Sequence, residues 1–93
     1  MERVPVISEI ADVIDSRKGG DPKVSYVAKL FSKAPDAALK KVGEECTEIV
    51  IAAKNPDPEE IKYEISDFLY HVMVLMVEKG VTWEEITQEL AQR

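Results

Sequence analysis

Two acidic segments carry the chemistry this sequence offers: Glu44-Glu45-Cys46-Thr47-Glu48 and Glu64-Ile65-Ser66-Asp67. Each holds a pair of carboxylates spaced i, i+3, which on a helix places both on one side. At about 100° per residue, with Val42 set at zero, the apolar stripe of the first segment centres near about 30°. Glu45 and Glu48 then fall near about 300° and 240°, on the flank of that stripe. Glu44 falls near about 200°, almost opposite the stripe and toward water. In the second segment, with Ile61 at zero, Glu64 and Asp67 take the same two angles, about 300° and 240°. If the two helices pair, Glu45, Glu48, Glu64 and Asp67 can converge. Converging carboxylates repel one another unless a cation sits among them. Oxygen-only donors favour a hard ion, Mg²⁺ or Mn²⁺, over Zn²⁺, and magnesium readily shares its shell with phosphate oxygens. The residues therefore point to metal-assisted phosphoryl chemistry. The competing reading is a solvated charged face, because acidic pairs at this spacing are common on ordinary helices.

Several other residues could serve such a site. Lys41 shares the flank of Glu45 and Glu48 and is the best-placed phosphate contact; Lys40 reads as its surface neighbour. Lys29, Lys33 and Lys54 are further candidates that a helical wheel cannot place relative to the acids. His71, the only histidine, lies one turn beyond Asp67 and reads as a packed, hydrogen-bonded residue, with support of the site as the alternative. Cys46 lies within the apolar stripe and reads as core. Met73 and Met76 read as core packing, and Trp83 and Ile86 as the residues that dock the last helix. No glycine-rich phosphate loop occurs, so side chains and metal must hold any phosphate.

The elements that must position these residues are helices. Breaks fall at Gly19-Gly20-Asp21-Pro22, Ala34-Pro35-Asp36, Asn55-Pro56-Asp57-Pro58 and Gly80. The first helix is expected over about Pro5 to Lys18, with Ile7, Ile10, Ala11 and Ile14 on one face. A short second helix follows, capped by Ser25 and ending near Lys33. The third runs from after Pro35 to Lys54 with Leu39, Val42, Cys46, Ile49, Val50 and Ala53 as its stripe. The fourth has Asp57 as cap, Pro58 at its first position and Gly80 as its stop. The fifth opens at Thr82, with Glu85 three residues on, and runs almost to Arg93. No segment alternates with period two. The expected fold is one all-α domain over residues 1–93, a small bundle of about five helices with two long central ones. The fourth helix is apolar nearly all round from Phe68 to Val77, which predicts cover from a second subunit and hence a homodimer with that helix near its centre.

Bulk properties narrow the function. A chain of 93 residues has room for one domain and is marginal alone. Its net charge of −6 favours neither nucleic acid nor an anionic membrane. The stretch from Met1 to Pro5 lacks the pattern of a secretory leader, and Phe68 to Val77 is too short to span a bilayer. The single cysteine allows no internal disulfide, which fits a cytoplasmic protein.

Longer motifs carry a family likeness. Ser25-Tyr26-Val27-Ala28-Lys29-Leu30-Phe31, then Lys40-Lys41-Val42-Gly43-Glu44-Glu45-Cys46-Thr47-Glu48, then Ala52-Ala53-Lys54-Asn55 resemble the phosphoribosyl-ATP pyrophosphohydrolase family. So do Tyr63-Glu64-Ile65-Ser66-Asp67-Phe68-Leu69-Tyr70-His71 and Glu78-Lys79-Gly80-Val81. The signature E-E-x-x-E followed by E-x-x-D is similar to that of the wider MazG-type all-α nucleotide pyrophosphohydrolases. Val27 and Cys46 depart from the expected Thr and Ala, away from the carboxylates. The resemblance implies hydrolysis of phosphoribosyl-ATP to phosphoribosyl-AMP and pyrophosphate in histidine biosynthesis. It implies Mg²⁺ on Glu45, Glu48, Glu64 and Asp67. Glu45 and Glu48 are the candidate catalytic acids, with the choice of base among the carboxylates open, and Lys41, Lys29 and Lys54 are the candidate substrate contacts. Glu44 belongs to the same signature, which sets it against the wheel's solvent-facing reading. The rivals are a housecleaning hydrolase for (d)NTPs and a non-catalytic helical interaction module.

Overall fold

The structure, a computed structural model, describes residues 4–93; Met1–Arg3, part of the stretch read for a leader, lie outside the described residues. Five helices follow in order: α1 Val4–Arg17, α2 Tyr26–Ser32, α3 Asp36–Ala52, α4 Pro58–Lys79 and α5 Trp83–Leu90. No strand occurs among the described residues. None of the described helices is long and apolar enough to cross a membrane. The all-α expectation holds, with α3 and α4 as the long central pair and the most extensive helix–helix packing between them.

Local chemistry sets the boundaries. The Ser25 hydroxyl accepts from the Ala28 amide at 3.1 Å, so α2 begins with Tyr26 in its first turn. Asp57 accepts from the Glu59 amide at 3.0 Å, and Pro58 gives up no useful donor at the head of α4. Gly80 takes the left-handed conformation at φ 70°, and Val81 donates back to the Met76 carbonyl at 2.9 Å. Thr82 and Glu85 form a reciprocal capping box that starts α5.

The core joins α1, α2, α3 and α4 through Ile14, Val27, Leu30, Ala38, Met73 and Val74. Met76 is buried as well, while Trp83 and Ile86 hold α5 by half-buried contacts. The middle of α4 is thus largely covered within one chain.

The inward face of α3 differs from the expected stripe. Ala38, Glu45 and Ala52 are buried, and Val42 and Ile49 are half-buried. Leu39, Cys46, Val50 and Ala53 are exposed. The helix is turned by about 80° from the wheel's orientation. Two long helices approach closely when small side chains lie between them, and Ala38 and Ala52 supply that contact. Cys46 is therefore a surface residue of the single chain rather than core, and Glu45 moves from the flank to the packed face.

Candidate active site

Glu45 from α3 and Asp67 and His71 from α4 come together where the two helices pack. One ligand atom from each lies within 4.8 Å of the others. Glu45 is 5% exposed, a rare placement for a carboxylate. Burial raises its pKa above the usual carboxylate value, and the neighbouring Asp67 carboxyl and the charge of Glu64 push the same way. Lys41 opposes them, with Nζ 3.7 Å from Glu45 Oε1 and 3.7 Å from Glu44 Oε1. Burial alone would lower the Lys41 pKa, but Tyr26, Glu45, Glu44 and Asp67 outweigh it and hold the ammonium charged. Two acids brought this close repel one another when both are ionised, and a cation between them relieves that repulsion at neutral pH.

His71 is buried and bonded at both nitrogens. Nδ1 lies 2.9 Å from the main-chain oxygen of Asp67, and Nε2 lies 2.6 Å from the Tyr26 hydroxyl. Tyr26 and Tyr70 meet the imidazole edge-on at 5.7 and 5.8 Å. With both nitrogens engaged, the open donors are carboxylate oxygens, a set that fits Mg²⁺ or Mn²⁺ better than Zn²⁺. The residues present thus fit a hard divalent cation.

The other sequence-expected residues are placed as follows. Glu64 is half-buried one turn before Asp67, near enough to raise the Glu45 pKa. Glu48 is exposed one turn beyond Glu45 and outside the close three-residue group. Glu44 is exposed and paired with Lys41. Beside the acids runs a groove of about 570 Å³ between α2 and α3, walled in part by Tyr26, Lys29, Lys33, Lys40 and Lys41. Lys54, past the C-terminal end of α3, is exposed and does not line it. Sequence reasoning gave Tyr26 no role. It stands in the family-like segment Ser25 to Phe31, and the Ser25 cap fixes where α2 begins but not which way the phenol reaches.

Known proteins are similar to this chain over nearly its whole length. Residues 7–93 match the family model for phosphoribosyl-ATP pyrophosphohydrolase. A phosphoribosyl-ATP pyrophosphatase of Lactiplantibacillus plantarum is 52% identical over 87 residues, covering 94% of this chain and 82% of that protein. One from Clostridium botulinum is 48% identical over 93 residues, covering 100% of this chain and 84% of its own length. One from Bordetella parapertussis is 48% identical over 91 residues, covering 95% of this chain and 79% of its own. With a family model matching residues 7–93 and relatives 48–52% identical over nearly the whole chain, the chain belongs to the phosphoribosyl-ATP pyrophosphohydrolase family.

Proposed function

We propose that this chain hydrolyses the α–β phosphoanhydride of phosphoribosyl-ATP, releasing phosphoribosyl-AMP and pyrophosphate in the second step of L-histidine biosynthesis. The family match and the names of the relatives support that activity. The observation that carries the residue-level reading is the acid pair Glu45–Asp67 lying beside a groove lined by lysines. A polyphosphate needs both, cationic side chains along its length and a divalent ion at the bond that breaks.

Glu45 and Asp67 would hold the cation, with Glu64 and Glu48, each one helical turn away, completing the set. When bound, Mg²⁺ or Mn²⁺ would neutralise phosphate charge and polarise the phosphorus under attack. Lys41 and Lys29 face the polyphosphate and offset charge on the departing pyrophosphate, with Lys33 and Lys40 in the same groove. A water adds to phosphorus at the α–β bridge, the bridging P–O bond breaks, and its electron pair leaves with pyrophosphate. A carboxylate of the set receives the water's proton. The enzyme works as a homodimer in the cytoplasm, without nucleic acid or membrane, in keeping with its net charge of −6.

The test is turnover by purified protein with Mg²⁺, measured as pyrophosphate release on phosphoribosyl-ATP and on a panel of dNTPs. The expected result is a strong preference for phosphoribosyl-ATP, abolished by a chelator. Turnover of dNTPs alone would instead make it a housecleaning hydrolase. No turnover and no Mg²⁺-dependent nucleotide binding by calorimetry would reduce it to an interaction module.

A further inference from the structure

Glu78 stands where a carboxylate is disfavoured. It lies in the last turn of α4, at the negative end of the helix dipole. Its Oε1 atom is closed off from solvent, and no protein group among the described residues donates to it. Burial pushes its pKa up, while Lys79 and Lys18 draw it back from a distance, without the short contact of an ion pair. The segment Glu78-Lys79-Gly80-Val81 belongs to the family likeness, yet neither the acid pair nor the lysine groove uses this carboxylate.

Glu78 lines a hollow of about 420 Å³, within the range of small-molecule sites. Ala28, Phe31 and Ser32 form one of its walls. On a helix these three lie opposite Tyr26, Lys29, Leu30 and Lys33, which face the lysine groove. The two hollows therefore flank α2 and share the α2–α3 turn as a wall, with Lys33 and Asp36 on the groove side and Ala34 and Pro35 on the other. Asp67 and Glu78 are about 16 Å apart along α4. That is the scale of a nucleotide from its reacting phosphate to the far edge of its base, with one contact at each end. The hollow offers an aromatic side chain, small apolar ones, an unpartnered carboxylate and two exposed lysines, Lys18 and Lys79. Those groups suit a flat cationic ring with N–H to donate and an anion beside it.

Phosphoribosyl-ATP has that combination. Its second ribose is attached at N1 of the adenine. An N1-substituted adenine is an amidine, far more basic than adenine itself, and at neutral pH it carries a proton on its exocyclic nitrogen. The base is then a cation, and the added ribose brings a phosphate of its own. A dNTP has a neutral base and no second phosphate. We propose that the hollow around Glu78 receives the phosphoribosylated base of the substrate, with the Glu78 carboxylate accepting from the cationic N–H edge of the base and Lys18 and Lys79 holding the phosphate of the added ribose. Glu78 is then a binding residue that selects phosphoribosyl-ATP over dNTPs. The inference rests on the hydrolase reading above and adds to it the part of the site that recognises the substrate beyond its triphosphate.

The test uses AMP and 1-methyl-AMP, titrated into the Mg²⁺-loaded protein by calorimetry. Each carries one phosphate and one base, and only the second has a cationic base. The wild type is expected to bind 1-methyl-AMP about ten- to a hundredfold more tightly than AMP, the range of a hydrogen bond between charged groups. Glu78→Gln keeps the size of the side chain and removes its charge. It should erase that preference and raise KM for phosphoribosyl-ATP by a similar factor with kcat little changed, as for lost binding rather than lost chemistry. It should also melt no lower than the wild type, because it removes a disfavoured charge. Lys18→Gln combined with Lys79→Gln should raise KM for phosphoribosyl-ATP and keep the preference for 1-methyl-AMP, since neither probe carries the second phosphate. Equal affinity of the wild type for the two probes would overturn the proposal. So would a Glu78→Gln variant that melts lower and loses kcat at unchanged KM, which would make the residue structural. A wild type that does not turn over phosphoribosyl-ATP overturns the functional reading and this inference with it. A wild type that does, matched in KM by Glu78→Gln, overturns this inference alone.

Discussion

At neutral pH a carboxylate that is 5% exposed and set beside a second acid weakens the fold unless a cation stands beside it. Glu45 is in that position. Its pKa in the folded chain is raised above the ordinary value of 4.5, so the folded state holds a proton there more tightly than the unfolded state does. Stability from that proton is complete below the unfolded value and is lost as pH rises through the folded one. The metal-free protein should therefore melt at a higher temperature in mildly acidic buffer than at neutral pH, other groups being equal. Glu45→Gln should flatten that dependence and raise the neutral-pH Tm without metal. It should also remove the Mg²⁺-induced rise in Tm and cut hydrolysis by at least about a hundredfold, as expected for loss of a metal-binding carboxylate. Scanning calorimetry with and without Mg²⁺ beside a turnover assay checks each part. A variant that melts lower than wild type without metal would show that Glu45 is stabilised by its neighbours rather than strained by them.

The helices were legible because their ends are written in caps. Ser25, Asp57-Pro58, Gly80 and the Thr82/Glu85 pair all do in space what their residue types allow. The facing of α3 was not legible. Its large apolar residues Leu39 and Val50 lie on the open side, and small Ala38 and Ala52 make the contact with the core, so a wheel weighted by size selects the wrong direction. The carboxylates on that helix inherit the difference: Glu45 is buried and Glu48 is exposed. The Tyr26–His71 bond joins residues 45 apart and depends on how α2 settles on α4, which no local pattern encodes. This division yields a paired prediction. Ser25→Ala and Thr82→Ala each remove one cap, and each should lower stability by about 1 kcal/mol. For a chain of this length that is a fall in Tm of about 4–8 °C. Only Ser25→Ala should also lower kcat, because the Ser25 cap sets the first turn of α2, whose Tyr26 and Lys29 line the groove proposed to hold the polyphosphate. Equal kcat values in the two variants would separate the cap from the site.

The whole chain is under-covered for its size. It exposes 6702 Å², whereas a folded chain of 10.4 kDa is expected to expose about 5,400 Å². Its radius of gyration is 14.3 Å against about 12 Å for a compact domain of this length. The excess has an apolar location. Leu39, Cys46 and Val50 lie within about 40° of one another on the outer side of α3, and Ile65 and Leu69 lie one turn apart on α4. The two helices are each other's main partners, so these residues border one surface rather than scattered spots. The homodimer proposed above is best supported on this surface, toward the N-terminal half of α4. The apolar middle of α4, which first motivated a second subunit, is largely covered by the chain's own α1, α2 and α3. A self-complementary patch needs a total of about 1,200–2,000 Å² buried to hold two copies stably, an area of the same order as the excess. The wild type should therefore sediment at twice 10.4 kDa at micromolar concentration. Val50→Lys combined with Leu69→Lys should shift it to the mass of one chain, since each places a charge in the apolar contact without touching Glu45, Asp67 or the lysine groove. A single-chain mass for the wild type would end the dimer proposal, and a dimer unmoved by both lysines would place its contact elsewhere on the chain.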